Sequence, residues 1–208
     1  MGTRSGVVGR LQGKEIGIAP RHLTREELEA GLDEIRRSPA DEGVVRLIVR
    51  RPSVEAREVL GVAELNCQEG LAGDTWRLRA SSRTPDRSAH PDMQLNIMNA
   101  RAIALIAQDP ERWALAGDQL FIDLDLSAAN LPPGTRLAIG SATIEITSQP
   151  HNGCEKFVAR FGRDAVEFVN SPVGKTLHLR GVNARVVAPG TIRQGDIVRK
   201  IAVTAAAG

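Results

Sequence analysis

Alternating apolar and polar positions run through the larger, second part of the chain and predict a mainly β fold. In DQLFIDLDL the side chains of Leu120, Ile122, Leu124 and Leu126 fall on one face, and ATIEITS (142–148) alternates in the same way. Further short strands are predicted at VVRLIVRR (44–51), TRLAI (135–139), TLHLR (176–180), NARVV (183–187) and DIVRKIAV (196–203). Many short strands separated by turns favour a closed or nearly closed barrel, because closure leaves no exposed sheet edge.

The first helical pattern lies ahead of these strands. It begins at Thr24, has Glu27 three residues later as in a capping box, and ends before Pro39. Its apolar residues recur at helical spacing at Leu28, Leu32 and Ile35. We therefore predict an N-terminal extension over residues 1–42 with one short amphipathic helix, and a barrel domain over residues 43–203.

Two more helices are predicted inside the barrel domain, over 99–108 and 155–170. Their predicted buried faces are Ala100, Ala104 and Leu105 in the first, and Phe157, Phe161, Ala165 and Phe168 in the second. The fold class is thus mainly β with a few helices: a β-barrel with short helices and an N-terminal helical extension. The longest irregular segment is the loop over 80–93, and compact domains seldom keep such a loop without a function.

Composition limits the classes of function. The chain has 208 residues, of which 42% are hydrophobic and 25% charged, as expected for one globular domain. Because 27 basic residues are nearly balanced by 25 acidic ones, the net charge does not indicate a nucleic-acid partner. No run is apolar enough for a membrane span or a signal peptide, so we expect a cytoplasmic protein. The two cysteines are expected to be reduced thiols.

Cys154 stands at the predicted start of a helix, directly after Gly153. Free backbone N–H groups and the helix dipole stabilise a thiolate there, and His151 and Lys156 can add positive charge. The sequence therefore predicts a lowered pKa and a raised nucleophilicity for this thiol. Gly153 would let a ligand approach closely.

Two alternatives remain open for this cysteine. It could be an unreactive residue packed beside a helix cap. It could also be the nucleophile of a cysteine hydrolase, with a base among His22, His90, His151 and His178. The other cysteine, Cys67, has no comparable position, and we interpret it as structural.

An arginine-rich segment includes the long loop. It contains Arg77, Arg79, Arg83 and Arg87, with Ser81, Ser82, Thr84, Ser88 and His90. Guanidinium pairs and hydroxyls together can hold a phosphate, so this segment predicts a small anionic ligand. The alternative is a solvated loop whose charge is neutralised by Asp74, Asp86 and Asp92.

Four segments in this order resemble the landmarks of MOSC domains, such as the C-terminal part of molybdenum cofactor sulfurases and stand-alone bacterial MOSC proteins. They are EGLAGDTW (69–76), LNIMNARAIALI (95–106), the run from GDQLFIDLDL to PHNGCEKF (117–157) and RGVNARVVAPGTIRQGDIVRK (180–200). The resemblance covers nearly all of residues 44–200. Its most specific pieces are the run from the leucine of the first strand through two turns to the Cys-x-Lys, and the closing RGV-x-ARV-x-x-PG-x-x-x-x-GD pattern.

The resemblance implies a MOSC-like barrel that binds molybdenum cofactor (molybdopterin), a pterin dithiolene that carries a phosphate. It implies that Cys154 is both the catalytic residue and a ligand of the metal. The predicted cofactor-binding residues are Asp74, Arg77, Ser81, Ser82, Arg83, Arg87, His90, His151, Asn152, Lys156 and Arg180.

Three functions follow from the resemblance. The first is a molybdoenzyme component that reduces N-hydroxylated compounds with electrons from a redox partner, since two separated cysteines cannot hold an iron–sulfur cluster. The second is a persulfide carrier that passes sulfur from a cysteine desulfurase to the cofactor. The third is a non-catalytic cofactor carrier. Pyridoxal phosphate belongs to the full-length sulfurases and is not expected to bind here. The oligomeric state is open.

Overall fold

Seven strands close into a barrel in the computed structural model, which describes residues 21–201. The strands are β1 (Gly43–Arg50), β2 (Glu58–Leu60), β3 (Val62–Asn66), β4 (Gly70–Leu71), β5 (Leu95–Asn99), β6 (Leu120–Asp123), β7 (Arg136–Ile139), β8 (Ala142–Ile146), β9 (Val182–Ala188), β10 (Gly190–Arg193) and β11 (Ile197–Ile201). Around the barrel the order is β1, β11, β7, β8, β9, β5, β6 and back to β1. The predicted mainly β barrel is therefore confirmed.

Strand pairing in the barrel is antiparallel except between β5 and β6, which run parallel. The first residues of β1 pair with β11, and its last residues, Ile48–Arg50, pair with β2 along the same edge. A second, three-stranded sheet has the order β10, β3, β4. Because β1 changes partners along its length, it closes the barrel with β11 and leaves β2 at the rim.

Aliphatic side chains fill the barrel interior. Leu120 and Ile122 of β6 point inward, as the alternation predicts, and Leu124 and Leu126 continue the same core beyond the strand. Phe121 points outward, yet it is also fully buried, because a layer of helices covers that face. The barrel therefore has an apolar layer on both sides of β6.

The helices form the outer layer. They are α1 (Arg25–Ala30), α2 (Leu32–Arg36), α3 (Ala100–Ala107), α4 (Glu155–Phe161), α5 (Arg163–Asn170) and α6 (Pro172–Thr176), with 3-10 turns at Thr75–Leu78, Pro91–Met93 and Pro110–Ala116. Leu28 and Ile35 of the N-terminal helices join the same buried cluster as Phe157, Phe161 and Phe168. The predicted capping box of Thr24 and Glu27 is present.

Several predicted helical details are wrong. The N-terminal helix is split at Gly31, and the predicted 155–170 helix is split at Gly162, where φ is +91°. A residue at that φ cannot continue an α-helix, so the chain starts again as α5. In α3, Ala104 is exposed, and the buried face is formed by Ala100, Ala102, Ile103, Ile106 and Ala107.

The predicted strand TLHLR (176–180) is also wrong. Ser171 accepts a hydrogen bond from the backbone of Gly174, and Pro172 occupies the first turn, so a short helix forms over Pro172–Thr176 and residues 177–180 form a turn. The chain then turns through His178, whose φ is +49°. Leu177 and Leu179 therefore alternate with polar residues because the turn packs both leucines against the core.

The predicted boundary between residues 42 and 43 stays a prediction, although β1 begins at Gly43. Part of the predicted extension (1–20) and the end of the last predicted strand (202–203) lie outside the described residues. Between residues 21 and 201, no helix combines the length and the hydrophobicity that crossing a bilayer requires.

Candidate functional site

Cys154 is the N-cap residue of α4 and its side chain is exposed. The loop before it is fixed at two points. Asn170 accepts a hydrogen bond from the Gly153 amide (3.0 Å) and donates one to the Gly153 carbonyl (3.2 Å). Asn183, fully buried, donates to the carbonyls of Gln149 (3.1 Å) and Pro150 (3.3 Å). The thiol is therefore accessible but held on a rigid loop.

The thiol lines a cavity of about 670 Å³, here called the cysteine cavity. Its walls come from the loop after β1 (51–57), the 3-10 turn near Thr75, the start of α4, and the side chains of His151 and Arg180. Cavities of about 300–1,000 Å³ are the usual size for small-molecule and cofactor sites. The volume is thus sufficient for a cofactor-sized ligand.

Positive charge dominates the lining of this cavity. Of the described part of the chain, six cationic side chains and one carboxylate line it: Arg51, Arg57, Arg79, Lys156, Arg160 and Arg180, with Glu55. Glu55 bonds both Lys156 (3.0 Å) and Arg160. These contacts hold the pKa of Glu55 below its usual range, so it stays ionised at the mouth of the cavity.

Arg57 and Arg79 form no ion pair with any residue between 21 and 201. Partial burial and the neighbouring charges of Arg160 and Arg51 lower the pKa of Arg57. Loss of hydration, followed by the charge of Arg51, lowers the pKa of Arg79 to about 10. Both guanidiniums remain protonated at neutral pH. Their mutual crowding would be relieved by a bound anion.

Arg51 and Asp74 form a buried bidentate pair at the back of the cavity. The guanidinium donates to both carboxylate oxygens at 2.8 and 2.7 Å, and the Arg51 amide adds a third bond at 2.9 Å. Asp74 also accepts from the backbone of Trp76. The predicted cofactor-binding residue Asp74 is therefore occupied in positioning Arg51, which in turn bonds Asn96 at 3.1 Å.

A second buried pair joins Arg180 to Asp118, a carboxylate with no exposed surface. Arg180 donates to both oxygens at 3.0 and 2.7 Å and to the carbonyl of Ala116 at 3.0 Å. Its guanidinium lies 4.8 Å above the ring of Phe157. Burial raises the pKa of Asp118, and the charge of Arg180 opposes that shift.

His151 lies beside this pair with Nδ1 3.5 Å from Asp118. Burial, and then the charges of Arg180 and Arg51, lower the pKa of His151 well below its usual range. The imidazole is therefore neutral at pH 7, and no ion pair forms. Both His151 Nδ1 and Arg180 Nε are buried and lack a hydrogen-bond partner among the described residues. Such groups cost free energy unless a ligand or water satisfies them.

The structure gathers only some of the predicted site residues. Cys154, His151, Lys156 and Arg180 line the cysteine cavity. Ser81, Ser82, Arg83 and His90 line a neighbouring shallow pocket of about 290 Å³, which shares Arg79 and Asn96 with it. Asn152 lines a different cavity, on the other side of His151. Arg77 and Arg87 are exposed and line none of these three cavities.

The sequence prediction did not include Arg51, Arg57 or Arg160. Of these three, only Arg51 has a local signal in the sequence: it follows Arg50 at the end of a strand and is followed by a proline. Of the four histidines considered as the base of a cysteine hydrolase, His151 alone lines the cavity with Cys154. Because His151 Nδ1 has no hydrogen-bond partner among the described residues, the arrangement of a catalytic base oriented by a carboxylate is not formed.

Comparisons with known proteins bear on the family and the fold of the chain. The family model described as MOSC domain matches residues 84–199. Among solved structures, a hypothetical protein has 22% identity and a TM-score of 0.50, covering 76% of this chain and 68% of its own. YuaD of Bacillus subtilis has 17% identity and a TM-score of 0.53, covering 75% of this chain and 94% of its own.

YiiM of Escherichia coli has 21% identity and a TM-score of 0.49, covering 76% of this chain and 69% of its own. No curated protein sequence matches the chain. At such identities the hypothetical protein and YuaD bear on the fold alone, whereas the family model covers more than half of the sequence. The chain belongs to the MOSC domain family, which is associated with the binding of molybdenum cofactor.

Proposed function

We propose that this protein binds molybdenum cofactor in the cysteine cavity and reduces N-hydroxylated compounds there. The observation that carries the proposal is the excess of cationic groups around an exposed thiol: two guanidiniums without a carboxylate partner among residues 21–201, next to Cys154. A phosphate-bearing ligand supplies the missing negative charge. Membership of the MOSC family gives the cofactor class.

The residues of the cavity fit the phosphate end of such a ligand. Arg57 and Arg79 would bind the phosphate, because each presents a charged donor fork that is not bound to a carboxylate. Arg51 would support them from behind, fixed by Asp74. The shallow pocket with Ser81, Ser82, Arg83 and His90 adjoins Arg79 and could extend the anion site, in keeping with part of the sequence prediction.

The fit extends to the heterocyclic end. Arg180 Nε is a buried donor without a partner among the described residues, and His151 Nδ1 is a buried polar atom in the same position. A pterin carries ring nitrogens and a carbonyl that can satisfy both groups. The pair with Asp118 fixes the Arg180 guanidinium, so this contact requires little reorganisation on binding.

Cys154 would provide the sulfur ligand of the metal. Its thiol is exposed at the start of α4 and lines the cysteine cavity, where a bound metal could reach it. When bound, the molybdenum centre supplies two-electron exchange at the N–O bond. The balanced reaction is R–NH–OH + 2 H⁺ + 2 e⁻ → R–NH₂ + H₂O, with the electrons delivered by a redox partner protein. Neutral His151 can accept a hydrogen bond from the substrate and does not add a second charge beside Arg180.

Cys154→Ser is expected to reduce the reductase activity to the background rate. The test uses protein loaded with cofactor, reduced methyl viologen as the electron donor and an N-hydroxylated amidine as the substrate. Cys67→Ser is the matched control and should keep the rate of the unmodified protein, because Cys67 is exposed in the turn after β3, outside the cavity. Full activity in Cys154→Ser, or none in the loaded unmodified protein, would contradict the reductase assignment.

A sulfur carrier is the second candidate, favoured by the exposure of the Cys154 thiol. A desulfurase persulfide would pass its outer sulfur to the Cys154 thiolate and regain its own thiolate. Pyridoxal phosphate would stay with the desulfurase. Persulfide trapping after incubation with a desulfurase and cysteine separates the two candidates: the carrier retains label at Cys154, whereas the reductase needs none. The expected location of the protein, the cytoplasm, is unchanged by either candidate.

A further inference from the structure

A second cavity, of about 460 Å³, lies on the other side of His151 and Arg180. These two side chains line both cavities, whereas Cys154, Arg57 and Arg79 line the cysteine cavity but not this one. Its other walls come from the loop over 147–152, the end of the barrel near Leu131 and the helices α5 and α6. It is therefore a separate chamber, large enough for a small molecule.

The inner walls of this second cavity are apolar. They include Leu131, Ile146, Val169 and Val182, all of them buried. The wall at His178 is fixed, because its Nδ1 lies 2.7 Å from the carbonyl oxygen of Leu126 and its backbone is left-handed. A non-glycine residue held in that conformation costs free energy that the surrounding structure must offset. The chamber is thus preformed and suited to an aliphatic or aromatic body.

Its mouth is polar and carries free donors. Ser148, Asn152 and Lys175 line it, and none of their side chains makes a hydrogen bond or ion pair with another residue between 21 and 201. Among the residues that the structure describes, no aspartate or glutamate lines the cavity. The charge of Arg180 is balanced by Asp118. Within residues 21–201, the free charge of the lining is therefore the ammonium group of Lys175, which favours an anionic head group.

We propose that the second cavity is a binding site for a small monocarboxylate with an apolar body. The carboxylate pairs with Lys175 at the mouth and accepts hydrogen bonds from Ser148 and Asn152. The body fills the space between Leu131 and Val182. This site is distinct from the cofactor site, and its residues at the mouth take no part in the reductase chemistry.

Octanoate binding to cofactor-free protein, measured by isothermal titration calorimetry, tests the proposal. We expect one site per chain, and at least tenfold weaker binding of the uncharged octanamide. Lys175→Gln should weaken octanoate binding by about tenfold, equivalent to about 1.4 kcal/mol, because the charge-assisted hydrogen bond is lost. Lys200→Gln is the matched control and should change the affinity less than twofold, because Lys200 lies outside this cavity.

A second pair of variants tests the location without disturbing the core. Ala128→Trp should abolish octanoate binding, because Ala128 is an exposed residue of the cavity wall. The neighbouring Ala129 is also exposed but lines another surface pocket, so Ala129→Trp should bind octanoate normally. The proposal is overturned if octanoate does not bind, if octanamide binds equally well, or if Lys175→Gln and Ala128→Trp leave the affinity unchanged. None of these results bears on the cofactor content of the cysteine cavity, so the two proposals fail separately.

Discussion

Asp118→Ala is expected to lower the free energy of unfolding by about 3–5 kcal/mol, the usual cost of removing one partner of a buried ion pair. Asp118 has no exposed surface and accepts two hydrogen bonds from Arg180, so its loss leaves a buried guanidinium without its counter-charge. Urea denaturation followed by circular dichroism measures the change. This pair stabilises the wall that separates the two cavities.

Two controls separate the buried pair from a general charge effect. Asp33→Ala removes an exposed partner of Arg36 and should change stability by less than about 1 kcal/mol. The double variant Asp118→Leu with Arg180→Met removes both charges and should recover most of the lost stability. A small effect of Asp118→Ala, comparable to that of Asp33→Ala, would show that the pair is not desolvated as described.

The double variant Arg57→Ala with Arg79→Ala is expected to bind the cofactor at least about 100-fold more weakly. Each lost charge-assisted hydrogen bond costs about 1.5–3 kcal/mol, and about 1.4 kcal/mol corresponds to a tenfold change in affinity. Titration of cofactor-free protein, followed by the fluorescence of the pterin, measures the dissociation constant. The cause is local, because these are the two cavity arginines without an ion-pair partner among residues 21–201.

The matched control is Arg77→Ala with Arg87→Ala, which removes the same number of positive charges from the arginine-rich segment. Both residues are exposed and line neither the cysteine cavity nor its shallow neighbour. Their removal should leave the affinity within about threefold, since distant surface charges are largely screened. Equal losses in the two double variants would mean that general charge, and not the cavity, attracts the cofactor.

Some residues of the site could be predicted from the sequence, and others could not. Cys154, His151 and Lys156 could be found, because they are neighbours in one loop and one helical turn. Arg51 and Arg57 could not be connected with Cys154, because they follow β1, and only the closure of the barrel brings that loop to α4. Arg77 has the right chemistry, yet its side chain is exposed away from the cavity.

The fold was more predictable than the site. Period-2 alternation located β6, β7 and β8, since one face of each strand is buried in the barrel. Phe121 occupies an outward position of β6, where the alternation predicts a polar residue. It is apolar because the layer of helices covers that face. The TLHLR segment failed because short alternation does not distinguish a strand from a turn held against the core by Ser171 and Pro172. The parallel pairing of β5 and β6 has no local signal at all.

The most direct test of the account is the molybdenum and pterin content of the full-length protein, purified from cells that make the cofactor. Metal analysis and pterin fluorescence, each expressed per chain, give the result. We expect molybdenum and pterin both to be present in amounts stoichiometric with the chain. Protein that contains neither, and takes up neither when cofactor is added, would contradict the assignment of the cysteine cavity.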